Sequence, residues 1–394
     1  MKSISSVSRP VEYGLRFTGI WPNVTYHRLV QMAWIFMMGT GQLFQYQYIL
    51  EHFSTNDLAD IVDSFSTTLP YSLLSIKLII FWRNHGLLND VLKEMYEDWN
   101  NSFTDSLSIR YMIKHATISS RCSKLIMGVY VTAVCVYSIT ATDFIGNNSD
   151  TNGAVKSRNL LIKMALPFSI EDSFTYECVM IVQFFQLLFV ASAISILDSL
   201  MVTLIFHISS QIEIVRAILE RISPLGGEDY TLSQATLRIL VCKHYRIIKL
   251  SGRVNQLFTY IALLQFLSNT LIICCIGFLI MTVSKIGKPA VIKSAFFYVA
   301  ITLEAFIFCF SGEYLSTEVC KYWALFSKKI GDAAYRSLWY TLTAKDTRAL
   351  LLIILRAQKT LTITAGRFMD LSLESFTSLL KASASYVSVL SAMA

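Results

Sequence analysis

The chain has 394 residues, of which 54% are apolar and only 15% charged, and its formal net charge is +7. Soluble globular proteins carry about 25% charged residues, so this composition, with a mean hydropathy of +0.51, indicates a membrane protein. Most of the eight cysteines stand singly in apolar runs, which excludes a disulfide framework or a zinc site. We expect neither a metal nor a cofactor, and no catalytic constellation is present.

Seven apolar stretches follow one another along the chain, and each could cross a bilayer core of about 30 Å as a helix. The second contains Pro70, which membrane helices tolerate with a kink, and the fourth is long enough to protrude from the bilayer. No signal-peptide run precedes the first stretch. The pattern predicts an all-α membrane protein with seven transmembrane helices, over residues 30–50, 61–82, 125–144, 178–208, 257–283, 290–310 and 372–394.

The Lys and Arg residues between these stretches fall almost entirely on one side. One set of alternate connections, with the N-terminal segment, holds 26 of them, and the other set holds five. The positive-inside rule therefore predicts a cytoplasmic N-terminus and, after seven crossings, an extracellular C-terminus. This distribution accounts for the basic charge without a nucleic-acid partner. It is also the reverse of the orientation of a seven-helix receptor coupled to a G protein.

The basic connections contain helical patterns of their own. The run 349–355 has seven apolar residues between Arg348 and Arg356, which is too short to cross a membrane and must be buried in protein. Similar patterns cover residues 207–222, 329–340 and 346–358. We expect a cytoplasmic helical anchor region beneath the membrane, which would be a natural subunit interface.

The last apolar stretch carries small or hydroxyl-bearing side chains three or four residues apart, so that they share one helical face. Two interpretations of this face remain open from periodicity alone. The residues could line a narrow water-filled path, or they could let neighbouring helices pack closely, as is common in membranes. The residues concerned are Ser372, Ser375, Ser378, Ala382, Ser385, Ser388 and Ala392.

Several motifs near the C-terminus resemble the insect odorant receptor family, in the order in which that family has them. They are GEYLS at 312–316, IGDAAYRSLWY at 330–340, LLLIILRAQK at 350–359, TAG at 364–366, LSLESF at 371–376 and KASASYVSVL at 381–390. These motifs cover about the last 85 residues. The family's coreceptor has a large cytoplasmic loop before its fifth span that this chain lacks, so the chain looks like a tuning subunit. Two departures are Thr360, where the family often has proline, and residues 319–326, which look like an insertion.

The resemblance implies an odorant-gated, non-selective cation channel that serves olfactory signal transduction. Its expected partners are a common coreceptor in a heterotetramer, a small volatile organic ligand, the lipid bilayer, and permeating monovalent and divalent cations. The expected location is the plasma membrane of an olfactory sensory neuron dendrite. One odorant-receptor domain would comprise a cytoplasmic segment (1–29), spans one to six (30–310), the anchor helices (311–366) and a pore-lining seventh span (367–394).

The resemblance also implies sites. The seventh span would line the pore, with Ser385 and Ala392 on its path and Val389 and Met393 as an apolar gate near its outer end. The odorant cavity would lie in the outer half, between spans two, three, four and six. For any single candidate, ordinary helix packing is the favoured alternative. The candidates are Phe65, Leu69, Tyr71, Tyr137, Ser138, Phe184, Phe185, Phe297 and Tyr298.

Three ionisable residues within spans are further candidates, because charges are expensive inside a membrane. We expect Lys77 to reach water at the inner end of its span. Asp198 could be solvated or hydrogen-bonded, and Glu304 could form a structural pair or take part in gating. In an outward loop, Asn147 begins a glycosylation sequon that could be used or remain unmodified.

Two other classes of function compete with the channel. A seven-helix receptor that signals through a second messenger is disfavoured by the inverted topology and by the absence of its usual motifs. A transporter is disfavoured because no inverted repeat or matching pair of broken helices is visible.

Overall fold

The computed structural model describes most of the chain. The described residues are 6–22, 25–53, 58–103, 105–146, 160–168, 170, 172–222, 234–283, 288–336, 364–366 and 368–393. The glycosylation candidate Asn147 lies outside the described residues, and so do 337–363, which contain most of the expected anchor helices. The last residue whose side chain is described is Val389, so the side chains of Ala392 and Met393 are also outside.

Within the described residues the chain is almost entirely helical. The first five helices are α1 (Arg9–Phe17), α2 (His27–His52), α3 (Leu58–Arg83), α4 (His85–Ser102) and α5 (Ser106–Gly146). They are followed by α6 (Ser173–Ile222), α7 (Gln234–Val283) and α8 (Lys288–Arg336). A two-stranded hairpin, β1 (Thr364–Ala365) and β2 (Met369–Asp370), precedes the last described helix, α9 (Leu373–Met393).

Five of the described helices, α3 and α5 to α8, are long and apolar enough to cross a membrane. Helix α2 is less apolar because it contains four glutamines, but its 26 residues span about 39 Å. It also exposes a stripe of large apolar side chains, including Leu29, Phe36, Leu43 and Leu50, as expected of a helix that faces lipid. With α9, of 21 residues, these helices correspond to the seven predicted spans.

Helix α6 lies at the centre of the bundle, in contact with α1, α3, α5, α7 and α8. From Val190 to Val215 nearly every side chain is buried, which explains why this apolar run shows no polar face. Small residues, such as Ala191, Ala193 and Ser199, let neighbouring helices approach it closely. Its 50 residues extend beyond the predicted span 178–208, as the length of that run indicated.

Helices α7, α8 and α9 share a separate apolar cluster. Ile273 and Ile276 of α7 pack with Ile301 of α8 and with Leu379 of α9. Beside this cluster the rings of Phe306 of α8 and Phe376 of α9 meet edge to face, with their centroids 5.6 Å apart. Helix α9 is therefore attached to the bundle along one side.

The segment that leads into α9 approaches α8 closely at Gly312. A β-carbon at this position would lie 2.3 Å from the carbonyl oxygen of Leu371, so only glycine fits there. The preceding hairpin is fixed to α7, because the Gly366 amide donates to the carbonyl of Thr259 at 2.9 Å. Gly366 has a φ of +60°, a conformation that glycine adopts without strain.

Helix α8 continues without a break past the predicted end of span six and through the apparent insertion. The expected boundary between span six and the anchor region, at residue 310, lies within this helix. The apparent insertion at 319–326 also lies within it, and Val319 is fully buried in the main core. These residues form about two turns of α8 and no separate loop.

One end of the bundle is rich in ion pairs, and we call it the basic end; it is where α4, the start of α5, the end of α6 and the start of α7 meet. Asp98 of α4 contacts Arg246 of α7 at 2.9 Å and His207 of α6 at 3.2 Å. Arg253 of α7 contacts Glu94 of α4 at 2.8 Å. The opposite end, where α2, α5 and α7 end and α3, α6 and α8 begin, is called the far end below.

Candidate functional site

An apolar cavity of about 100 Å³ lies between α3, α5, α6 and α8. Aromatic and aliphatic side chains form most of its wall, as in sites that bind small organic molecules. Pro70 interrupts the hydrogen bonding of α3 at the cavity, because it has no N–H to donate. The lining residues are Thr67, Pro70, Tyr71, Tyr130, Ala133, Val134, Tyr137, Leu187, Val190, Ala191, Ile194, Phe297, Ala300, Ile301 and Glu304.

A cluster of charges closes one side of the cavity. Lys77 of α3 lies between two carboxylates, with its Nζ 3.2 Å from Glu304 of α8 and 3.6 Å from Asp198 of α6. Tyr130 of α5 donates its hydroxyl to Asp198 at 3.1 Å. The ammonium group also lies over the ring of Phe308, 5.3 Å from its centroid. This cluster joins four helices through charge and hydrogen bonds.

The expectation that Lys77 reaches water is wrong, because its side chain is only 1% exposed. Asp198 is hydrogen-bonded, and Glu304 is in an ion pair, as one interpretation of each residue held. This arrangement could not be predicted from the sequence because Lys77 and Glu304 are 227 residues apart. Lys77 stays inside the bundle because two buried carboxylates are within its reach.

The loop 160–166 packs against α3, α5 and α6 at the far end. Tyr137 donates its hydroxyl to the carbonyl of Leu161 at 3.2 Å. The Gln183 side chain of α6 exchanges two hydrogen bonds with the backbone of Ile162. Lys163 forms ion pairs with Asp60 and Asp63, both on α3. The loop is thus fastened to the three helices that form most of the cavity wall.

A larger cavity of about 600 Å³ lies at the basic end, between α4, α5, α6 and α7. Six charged side chains line it, so it does not suit an apolar ligand. The acids of its wall are largely used within the protein, since Glu94 and Asp98 pair with Arg253 and Arg246. The smaller, apolar cavity is therefore our candidate binding site.

Helix α9 exposes the face that does not contact α7 and α8. Ser378, Lys381, Ser385 and Ser388 recur along this face, and Val389 is 58% exposed. The opposite face packs inward, with Leu379 and Ser383 buried. Most hydroxyl groups of the small-residue face predicted for this helix are therefore not used to pack α9 against its own subunit.

The comparisons with known proteins agree on the family. The family model described as 7tm Odorant receptor matches residues 57–384, which is most of the chain. The chain belongs to the odorant receptor family. It is accordingly a multi-pass membrane receptor subunit and not an enzyme.

Individual relatives of the receptor are insect proteins. Odorant receptor 10 of Aedes albopictus is 36% identical over 151 residues, which are 38% of this chain and 38% of that protein. Odorant receptor 85b of Drosophila melanogaster is 27% identical over 242 residues, or 61% of this chain and 59% of its own length. The matched segments thus span about 38% and 59% of the lengths of these two relatives.

Among solved structures, the olfactory receptor OR5 of Machilis hrabei in complex with eugenol superimposes on this receptor with a TM-score of 0.74. The match covers 98% of this chain and 97% of that chain, at 13% sequence identity. At this identity the likeness concerns the fold alone, and it confirms the predicted all-α, seven-helix architecture.

Three of the nine cavity candidates in this receptor line the cavity: Tyr71, Tyr137 and Phe297. Leu69 and Tyr298 pack against the cluster of α7, α8 and α9 instead. The Ser138 hydroxyl bonds to the backbone of its own helix, and Phe65 is half-buried away from the cavity. Phe184 packs at the edge of the main core, and Phe185 is largely exposed.

Most residues of the cavity wall were not predicted from the sequence. The α6 residues Val190, Ala191 and Ile194 give no signal, because a helix that is apolar on every side does not show which face points to a cavity. Tyr130 could have been recognised, since it lies seven residues before Tyr137 and so on the same face of α5.

Proposed function

We propose that the receptor is the odorant-binding subunit of a ligand-gated, non-selective cation channel and that it works together with a common coreceptor. The observation that carries this proposal is a shared pair of residues on α8. Ile301 and Phe297 line the cavity and also pack in the cluster that holds α9. A molecule that enters the cavity therefore presses on the same side chains that position α9.

The cavity supports a small, mostly apolar ligand. An engineered apolar cavity of about 150 Å³ binds benzene, so a cavity of about 100 Å³ takes a molecule of similar size after small side-chain movements. Such movements reach α9 because packed interiors leave little free volume to absorb them. The OR5 structure is a complex with eugenol, a small organic molecule, which is a ligand of that protein.

The exposed face of α9 supports the conduction path. On a single chain this face presents hydroxyl groups, one lysine and Val389, a mixture poorly suited to lipid. Around a central axis, the same faces of four subunits would enclose a water-filled path. Val389, with Met393 one turn further on, would form the apolar constriction that closes it. We propose the orientation that the positive-inside rule predicts, with the N-terminus in the cytoplasm, and a location in the dendrite of an olfactory neuron.

Whole-cell recording from cells that express the receptor with the coreceptor, while G-protein signalling is blocked, tests the proposal. We expect a fast inward cation current on application of small volatile odorants, and no current when either chain is absent. A response that disappears under the block and returns through a second messenger without it would contradict the channel.

Two pairs of variants locate the site and the gate in the same recordings. Ala133→Trp fills the cavity and should abolish the odorant response, whereas Val131→Trp, on the exposed side of α5, should leave it intact. Val389→Ser should raise the basal current because it wets the constriction, whereas Val299→Ser, on the exposed side of α8, should not. If Ala133→Trp and Val131→Trp have equal effects, the cavity is not the odorant site. If Val389→Ser and Val299→Ser have equal effects, Val389 does not form the gate.

A further inference from the structure

The polar side chains in the cavity wall differ in one respect, which is whether their hydrogen bonds are already made. Tyr137 donates to the carbonyl of Leu161, and Tyr130 donates to Asp198. Thr67 donates to backbone carbonyls of its own helix. Glu304 is held by Lys77. These four groups are committed to the protein and have little to offer a ligand.

Tyr71 is the exception. Its side chain is 3% exposed, its ring lines the cavity, and its hydroxyl has no hydrogen-bond partner within the described part of the chain. Buried hydroxyl groups are almost always hydrogen-bonded, because an unpaired one loses its interaction with water and gains nothing in return. A buried phenol left unpaired beside a cavity is therefore a hydrogen-bond donor available to a molecule that enters the cavity.

We propose that the receptor selects odorants that carry a hydrogen-bond-accepting oxygen, such as small ketones, aldehydes or esters, and that the Tyr71 hydroxyl donates to this oxygen. The inference rests on the proposed function of the cavity and names the chemistry of its ligand. The apolar remainder of the odorant packs against the aliphatic residues of α6 and against Phe297.

The selectivity comes mainly from the penalty on the wrong ligand. The cavity is large enough for a few water molecules, and one of them can accept the Tyr71 hydrogen bond. A carbonyl oxygen replaces that water and keeps the bond, whereas a hydrocarbon of the same shape displaces the water and leaves the phenol unpaired. Sites built to hydrogen-bond a ligand reject analogues that lack the group. We expect about a tenfold preference, the size of one net hydrogen bond.

The test uses pairs of ligands that differ only in the accepting group, such as a small methyl ketone and the alkene in which a methylene replaces its oxygen. Dose–response curves are recorded with the coreceptor for the wild type, Tyr71→Phe and the matched control Tyr137→Phe. The Tyr137 hydroxyl already donates to the carbonyl of Leu161, so Tyr137→Phe should keep the preference for the ketone. We expect the ketone to be about tenfold more potent on the wild type. Tyr71→Phe should remove this difference mainly by making the alkene more potent, because the alkene then no longer leaves a phenol unpaired.

The possible outcomes separate this inference from the proposed function. A preference for the ketone that survives in Tyr71→Phe, or a wild type that does not distinguish the two ligands, overturns the inference. If Ala133→Trp leaves both responses unchanged, the cavity itself is not the odorant site. Ligand-induced shifts in the melting temperature of the purified receptor repeat the comparison without gating. These melting measurements also test Tyr71→Phe if too little of this variant reaches the cell surface for recording.

Discussion

Two lysines of the receptor occupy the same arrangement in very different surroundings. Lys77 lies between Asp198 and Glu304, and Lys163 lies between Asp60 and Asp63. Each group contains one positive and two negative side chains. The Lys77 side chain is 1% exposed within the helical bundle, whereas that of Lys163 is 26% exposed in the loop at the far end.

The difference in burial decides what each group does. Near water, charges are screened and can find other partners, so an ion pair contributes little. Inside the bundle the charges have lost their hydration, and each depends on the other two. The partners of Lys77 come from α6 and α8, so its ion pairs fix the relative positions of three helices. Both partners of Lys163 come from α3, so its ion pairs only fasten a loop.

The largest effect is expected from Lys77→Met. It leaves two carboxylates buried without a counter-charge, which destabilises the fold by about 3–5 kcal/mol. We expect little receptor at the cell surface and a much lower melting temperature in detergent. Replacing all three residues, with Asp198→Asn and Glu304→Gln added, should restore most of the stability because no buried charge remains. If the triple variant is as unstable as Lys77→Met, the loss comes from packing and not from charge.

A smaller effect is expected from Lys163→Met, about 1 kcal/mol, because the pairs it removes are partly exposed. Burial lowers the pKa of Lys163, but Asp63 and Asp60 raise it more, so the pKa lies above its ordinary 10.5. A lysine whose pKa is raised on folding stabilises the protein fully below its unfolded value. This stabilisation is lost as the pH rises through the folded value. The melting temperatures of wild type and variant should therefore converge above pH 10.5, and a constant difference there would contradict this role.

The smallest effect is expected from Arg253→Gln at the basic end. Asp90 is 58% exposed, so only the contact with Glu94 is partly buried, whereas Lys163 has two such contacts. The loss should therefore not exceed about 0.5 kcal/mol. Melting curves at low and high salt check the reason, since the difference should shrink when the ionic strength rises. A loss as large as that of Lys77→Met would mean that burial does not separate the two kinds of ion pair.

The sequence predicted those parts of the molecule that depend on one helix at a time. The apolar runs located α3 and α5 to α8, and the length of the run at 178–208 indicated that α6 leaves the bilayer. Which face of a helix meets which neighbour could not be predicted, because α6 is buried on nearly all sides and shows no polar stripe. For the same reason Tyr71, Tyr137 and Phe297 were proposed beside six residues that lie elsewhere.

The continuity of α8 has a mechanical consequence. Its 49 residues form a rod about 74 Å long that carries Ile301 at the cavity and Gly312 about 17 Å further along. A rod without a joint behaves as a lever, so a tilt of about 5° at Ile301 displaces Gly312 by about 1.4 Å. At Gly312 the backbone of Leu371 is already in contact, with no room for even a methyl group. We therefore expect a displacement toward Leu371 to push on the segment that leads into α9.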